Sequence, residues 1–475
     1  MLRKLIHPIL ILPLFLNINS HKPLLSETKD YIDNTLKENE EIFIDYLKLN
    51  NIVLQNNQEL KSLKKLVSSS TFNLSSKIGK RYPSLDLQAN GLPKYVAGKN
   101  YNSNSVTTES SKFSVNPSLN LKWDLIDHLR SSEIKIAKYN YEIAKNNYEI
   151  KRKDLIQEAK SRYHKLQKSY KDIENKKIAL TSSLISLNDA QSKFDSGIGT
   201  KFEILEADAQ LSRDKQSLNE KKIQHEINKV SLKEILNIKG DLKIETEQKL
   251  IGFWNYELKR NLHSGLKNNL SLKNINLNKS IKQNQANNYI NANKPNIYIS
   301  NTLSSSFSKG DSLSVSVDPK KSGSSYTNTI SLNLAWNIFN GGQNKYSYKS
   351  SKEQAKAEEY SYKNFENVLK TNINRAYLNL KLNREKILSS QKEISSTNES
   401  LRLARLRYEA GISTLKDVLV RQKELTNANS KNIDAIYNYN LNLDELERLT
   451  FLQISNSCKK STNNIKNDLK SICDI

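Results

Sequence analysis

The side chains able to do chemistry are few and scattered. Six histidines stand at positions 7, 21, 128, 164, 225 and 263, and none falls in an HExxH pair or a two-His-plus-acid cluster. Gly197-Ile198-Gly199-Thr200-Lys201 has a superficial likeness to a phosphate loop. It lacks the G-x-x-x-x-G-K-[ST] spacing and follows a helical stretch instead of a strand. There is no nucleophile elbow and no Cys–His pair. Two cysteines, Cys458 and Cys473, lie in a polar tail. Two are too few for a disulfide scaffold or a four-Cys zinc site, and their spacing does not decide whether they pair in an oxidising compartment. The expectation is therefore no catalytic residue, no metal site and no cofactor. Two acids stand out for another reason. Glu203 and Asp417 occupy matching places just behind two glycine turns, where a first-turn carboxylate complements a helix dipole.

The elements around these residues follow from composition. The chain has 475 residues, 74 Lys plus Arg against 50 Asp plus Glu, and a formal net charge of +24. The joint skew to Lys, Asn, Ile and Ser is what an AT-rich genome writes. Lys is interleaved with Glu along the whole length, as on a solvated helix face, without the clustered Arg, aromatics or module that nucleic-acid binding requires. No nucleic-acid partner is expected. Only 13 Gly and 8 Pro in such a length favour long uninterrupted helices over several compact domains.

The first twenty residues read as a secretory signal. Arg3 and Lys4 precede an apolar run from Leu5 to Leu16, interrupted by His7, Pro8 and Pro13 and followed by polar residues that include Ser20, a candidate cleavage position. No cysteine stands there for lipid anchoring, and no later segment reaches the eighteen apolar residues of a membrane helix. An exported chain of this kind is soluble, peripheral or a β-barrel.

The chain repeats itself. Gly197-Ile198-Gly199-Thr200 aligns with Gly411-Ile412-Ser413-Thr414, an offset of 214 residues from Gly197 to Gly411. At that offset Phe194 meets Tyr408, Glu203 meets Asp417, and Leu205 meets Leu419. The seven-spaced set Ile173, Leu180, Leu187, Phe194 meets Ile387, Ile394, Leu401, Tyr408. Upstream, Ser118-Leu119-Asn120-Leu121-Lys122-Trp123 matches Ser331-Leu332-Asn333-Leu334-Ala335-Trp336, and Pro83 matches Pro295. A tandem duplication places the halves at 50–240 and 262–452, with a leader at 21–49, a linker at 241–261 and a polar tail at 453–475.

Each half reads as the same series. A polar helix, near 54–80 and 262–293, ends before Pro83 or Pro295. Period-two stretches follow at about 84–90 and 115–123, and at 296–303 and 328–338, with Leu85 and Leu87 opposite Asp86 and Gln88, and Leu332 and Leu334 opposite Ser331 and Asn333. The polar stretches between, 91–114 and 305–327, read as exposed loops. Helical hairpins then fill 131–238 and 343–452, each opening with a rod of about 100 Å whose heptad spacing calls for coiled-coil neighbours. Gly197 and Gly411 break the rods, and Thr200 and Thr414 are the expected N-caps of the return helices.

Four strands with one greasy face cannot close a barrel, and hydrocarbon does not tolerate an open edge. The chain therefore needs copies of itself, and three copies bring twelve strands around an open lumen. Trp123 and Trp336 sit where strand becomes rod, as membrane-interface aromatics do, although packing tryptophans would sit there too. The rival reading is an exported coiled-coil adhesin or scaffold without a pore. It accounts for the rods but not for the matched strands.

Taken in order, the two turns Phe194-Asp195-Ser196-Gly197-Ile198 and Tyr408-Glu409-Ala410-Gly411-Ile412, the acids behind them, and the junction Trp336-Asn337-Ile338-Phe339-Asn340-Gly341-Gly342 resemble the outer-membrane efflux (TolC-like) family. The resemblance covers about 50–452. It implies a mainly α fold with a small β part: a homotrimeric twelve-stranded outer-membrane barrel continued by a periplasmic α-helical barrel. It implies an exit duct for efflux or type I secretion, set in outer-membrane lipid and partnered by a periplasmic adaptor protein and an inner-membrane transporter. Carried over by position, Asp417 forms an acidic ring at a closed periplasmic tip, Tyr408 holds the gate and Glu203 partners it. Gly197, Ile198, Gly411 and Ile412 mark the turns that meet the adaptor. The family's second acid is replaced by Val420, and an Arg that contributes to the gate by Ser413.

Overall fold

The computed structural model describes residues 41–101, 107–238, 240–311 and 321–455. The signal segment 1–20, most of the leader, and the tail with Cys458 and Cys473 lie outside the described residues.

The first half opens with β1 (Glu41–Ile44), α1 (Tyr46–Asn56) and α2 (Gln58–Gly79), followed by β2 (Ser84–Tyr101) and β3 (Thr107–Ile126). A helical hairpin of α3 (Arg130–Asp195) and α4 (Lys201–Leu236) completes it. After β4 (Asp241–Ile244) the series recurs as α5 (Leu258–Asn268), α6 (Leu270–Asn291), β5 (Asn296–Asp311), β6 (Lys321–Ala335), α7 (Gln343–Glu409) and α8 (Leu415–Thr450). The duplication extends to single hydrogen bonds. Asn57 caps α2 by accepting from the Leu60 amide at 2.9 Å, and Asn269 caps α6 by accepting from the Leu272 amide at 3.0 Å. Each expected polar helix is thus two helices with a bend at the capping asparagine, whose side chain replaces the backbone acceptor that the bend removes.

Several boundaries differ from the sequence reading. The leader is not separate from the first repeat: β1 pairs in parallel with β4, inside the expected linker, and α1 begins at Tyr46. The tail contributes a bridge between Phe253 and Ser455. Much of the two expected loops is strand instead. β2 pairs with β3 as far as Tyr101 and Thr107, and β5 with β6 as far as Gly310 and Lys321. These outer parts are mostly Ser, Thr, Lys and Gly with a few aromatics, so no sustained greasy alternation marks them, and backbone pairing does most to hold them extended. β6 stops at Ala335, short of the expected 338.

The four strands form one antiparallel sheet in the order β2-β3-β5-β6, which joins the two halves through β3 and β5 and leaves β2 and β6 as its edges. Register sorts the side chains by face. Leu85 lies opposite Leu121, Leu87 opposite Leu119, Trp123 opposite Ile299, and Ile299 opposite Leu332. On the other face Asp86 lies opposite Asn120, Lys122 opposite Ser300, and Ser300 opposite Ser331. Hydrogen bonds knit that polar face: the Asn333 amide donates to Ser300 Oγ at 2.8 Å, and the Ser300 and Ser331 hydroxyls meet at 2.8 Å. The greasy face is bare, with Leu87 at 76% exposure and Ile330 and Leu332 at 71%.

α3 has 66 residues and α7 has 67, each about 100 Å at 1.5 Å per residue. Two apolar cores sit at mid-rod. One packs Ile44, Leu49 and Val53 against Leu155, Tyr163, Leu166, Leu232 and Leu236, and the other packs Trp254 among Leu380, Ile387, Tyr439, Leu443 and Leu446. A buried charge cluster ties the halves together beside the first. Asp444 of α8 accepts from the Tyr46 hydroxyl at 2.9 Å and pairs with Lys160 at 3.0 Å and His164 Nε2 at 3.2 Å, while Lys160 also meets Glu447 at 2.7 Å. Burial opposes the Asp444 charge, but the His164 hydrogen bond and the Lys160 ammonium hold its carboxyl below the usual range. Among the described residues no helix is long and apolar enough to cross a membrane.

Candidate gate at the hairpin tips

Both rods end in the same way. At the first tip the Gly197 amide donates to Phe194 O at 2.9 Å and the Ile198 amide to Lys193 O at 3.0 Å; at the second, Gly411 donates to Tyr408 O at 3.1 Å and Ile412 to Arg407 O at 2.8 Å. These are two Schellman turns, and Gly197 (φ +78) and Gly411 (φ +75) take the left-handed position that the motif requires. The isoleucines that follow project into solvent, Ile198 77% and Ile412 70% exposed.

The return helices start differently. Thr200 Oγ1 accepts from the Glu203 amide and Glu203 Oε2 accepts from the Thr200 amide, both at 3.3 Å, a closed capping box. Thr414 makes no side-chain cap. Asp417 is one methylene shorter than Glu203 and accepts instead from the Ser413 hydroxyl at 2.9 Å. That bond, with the Thr414 backbone, holds the exposed Asp417 carboxyl below its ordinary range. Glu203 therefore caps its own helix, and Asp417 points its charge into solvent.

The two tips pack on each other through Ala190, Ala207, Leu401, Tyr408, Leu415 and Val418. Tyr408 is buried here while its repeat partner Phe194 is 42% exposed, so one heptad position faces inward in one half and outward in the other. Among the described residues the Tyr408 hydroxyl is buried without a hydrogen-bond partner, and burial, with the Glu203 and Asp189 charges, pushes it up to about 12. The Glu203 carboxylate acts on this hydroxyl through its charge and makes no hydrogen bond to it. Lys193 is the direct contact, its ammonium 3.7 Å from the ring centroid and donating to the Tyr408 carbonyl.

Further up, the buried Gln422 amide donates to Ala179 O at 2.9 Å and Ser183 Oγ at 2.8 Å, and Asn175 donates to Thr426 O at 3.0 Å. The buried seam of α3 runs through Ala179, Ser183, Ser186 and Ala190, spaced four, three and four, so small residues let the rods approach closely. Larger apolar residues beside it look outward: Ile178 is 61% exposed and Leu184 48%. The sequence gives no mark that singles out Lys193 or Gln422. The small-residue heptad is legible once Ser and Ala are counted as seam residues.

At the other end of the rods the two tryptophans play equivalent parts. Trp123 Nε1 donates to Arg81 O at 3.1 Å and Trp336 Nε1 to Asn293 O at 2.8 Å, each stitching strand to the preceding helix end. Their rings remain 42% and 54% exposed.

The family model described as outer membrane efflux protein matches residues 49–237 and 262–450, one match on each repeat. Among solved structures, the CmeC outer membrane channel of Campylobacter jejuni is 19% identical with a TM-score of 0.72, covering 90% of this chain and 89% of its own. The outer membrane protein VceC of Vibrio cholerae is 14% identical with a TM-score of 0.72, covering 85% and 96%. CusC is 15% identical with a TM-score of 0.73, covering 88% and 94%. These likenesses concern the fold. No curated protein matches the sequence. The family is one of channels, its place is the outer membrane, and the adhesin reading finds no counterpart in it. With both repeats matched over nearly their whole length, the chain belongs to the outer membrane efflux protein family.

Proposed function

We propose that three copies of this chain assemble into an exit duct, a twelve-stranded barrel in the outer membrane continued by a helical barrel in the periplasm. The observation that carries this is the sheet: four strands with a bare apolar face and two edges, β2 and β6, that pair with nothing within the described chain. In hydrocarbon such edges must be paired, and the β6 of one copy can meet the β2 of the next until the wall closes. Trp123 and Trp336 then ring the periplasmic interface. The outward-facing Ile178, Leu184, Ile223 (64% exposed) and Val230 (66%) find partners on neighbouring hairpins.

The tips form the gate. Threefold symmetry brings the exposed Asp417 carboxylates together, which favours cations in the closed pore. Tyr408 and Lys193 hold one hairpin against the other, with Glu203 bracing the first tip through its capping box. Gly197, Ile198, Gly411 and Ile412 present the surface to a periplasmic adaptor, which opens the tip by binding the open form better. An inner-membrane transporter supplies the substrate, for efflux or type I secretion.

The test is protein extracted from outer membranes in detergent and sized by light scattering, then reconstituted in planar bilayers. Three chains per particle and discrete ion conductance are expected. A monomer that stays dissolved without detergent overturns the assembly. Deleting the gene and comparing drug susceptibility and secreted proteins assigns the cargo.

A further inference from the structure

The polar face of the sheet carries an uneven charge along its length. Near the helices it is balanced: Lys122 pairs with Asp124 at 3.4 Å and lies 4.6 Å from the Tyr298 ring centroid, and Asp86 faces Asn120. Toward the far end Lys112 and Lys94 share the same face. β3 keeps strict alternation from Lys112 to Lys122, and Lys94 pairs with Ser114 beyond the register shift in β2. The cross-strand neighbours of Lys112 are Val96 and Gly310, neither of which offers a counter-charge. Among the described residues no carboxylate forms an ion pair with Lys94 or Lys112, and the acids Asp86 and Asp124 of this face lie toward the helices.

The level of these lysines follows from the other face. Tyr95 and Phe113 form an aromatic pair at 4.6 Å on the greasy side, ten residues along β3 from Trp123. At about 3.3 Å per residue and a strand tilt near 40°, Phe113 and Trp123 stand about 25 Å apart along the barrel axis, the height of an apolar band between two aromatic girdles. Lys94 and Lys112 therefore lie inside the wall at the level of the outer girdle.

Resting on the duct reading, we propose that Lys94 and Lys112, repeated by threefold symmetry, form a cationic collar at the outer mouth that binds polyvalent anions. The two ends of the duct then carry opposite signs, Asp417 at the tip and lysines at the exit. The collar concentrates anionic solutes at the mouth and slows the entry of cations from outside.

The experiment uses the full trimer in a planar bilayer with tripolyphosphate as the probe. Tripolyphosphate on the barrel side is expected to block the current, and from the tip side it should block far less. The Lys94→Gln/Lys112→Gln double variant should weaken the block roughly tenfold or more, while Lys94→Arg/Lys112→Arg and Asp417→Asn retain it. Equal block in the glutamine variant, or equal block from both sides, overturns the collar and leaves the duct intact. A trimer that carries no current overturns the duct reading itself, and the collar with it.

Discussion

The Lys193 ammonium, on the last turn of α3, stands 3.7 Å from the centroid of the Tyr408 ring, on the last turn of α7, and donates to the Tyr408 carbonyl as well. One side chain of the first repeat thus holds both the ring and the backbone of the second at the point where the two hairpins end. A partly desolvated cation over an aromatic face contributes about 2 kcal/mol. The carbonyl belongs to a helix C-terminus, where a positive charge is further favoured.

Lys193→Ala should loosen the tip. Open-channel events of purified trimers should become more frequent, and cells should admit large antibiotics that the closed tip excludes. Tyr408→Phe should behave close to wild type, because the hydroxyl it removes is already without a partner. Tyr408→Ala should destabilise the tip by about 3–5 kcal/mol through lost packing. Single-channel recording reads all three. An open phenotype in Tyr408→Phe would mean that a neighbouring protomer supplies the hydroxyl's partner.

The mid-rod cluster makes stability depend on acid. Asp444 is held below the ordinary carboxylate value of 3.8, so its contribution is complete above that value and is lost as pH falls through the folded one. Asp444→Asn removes the buried charge shared by Lys160 and His164, leaves Lys160 to Glu447 alone, and should cost about 3 kcal/mol at neutral pH. Its melting temperature should then fall less than that of wild type on acidification below about pH 4. Thermal unfolding followed by circular dichroism at several pH values checks both statements.

Sequence exposed the duplication because turns, prolines and tryptophans punctuate both halves in the same order. It exposed the inner part of the sheet because greasy and polar residues alternate there. The outer parts of β2, β3, β5 and β6 were hidden because Ser, Thr, Lys and Gly interrupt the alternation around isolated aromatics such as Tyr95 and Phe113, and cross-strand backbone bonds leave no trace in composition. The charge cluster was hidden by distance: His164 and Asp444 lie 280 residues apart in the chain. At the tips, Glu203 and Asp417 read as equivalents, yet one methylene decides that only Glu203 closes a capping box.

That methylene sets a contrast in stability. Thr200→Ala opens the capping box and should cost about 1 kcal/mol locally, whereas Thr414→Ala, which removes no side-chain cap, should cost a few tenths. Amide hydrogen exchange over the first turns of α4 and α8 measures this directly. The expected result is faster exchange at the start of α4 in Thr200→Ala and little change at the start of α8 in Thr414→Ala.

The proposed Asp417 ring should carry its own pH signature. The Ser413 hydroxyl and the Thr414 backbone stabilise the ionised carboxylate, so its folded value lies below 3.8. The carboxylate is charged above that value, so cation preference should persist as the bath is acidified through the ordinary carboxylate range and should fade only below it. Ser413→Ala removes the bond that most stabilises the carboxylate and should move the loss of selectivity to higher pH, toward 3.8. Asp417→Ala should reduce cation preference at every pH, because no charge remains to titrate. Reversal potentials in asymmetric potassium chloride, measured from pH 3 to 7 for the three proteins, separate these outcomes. Unchanged selectivity in Asp417→Ala would remove the ring from the gate, and a Ser413→Ala curve superposed on wild type would remove the hydroxyl from the ring.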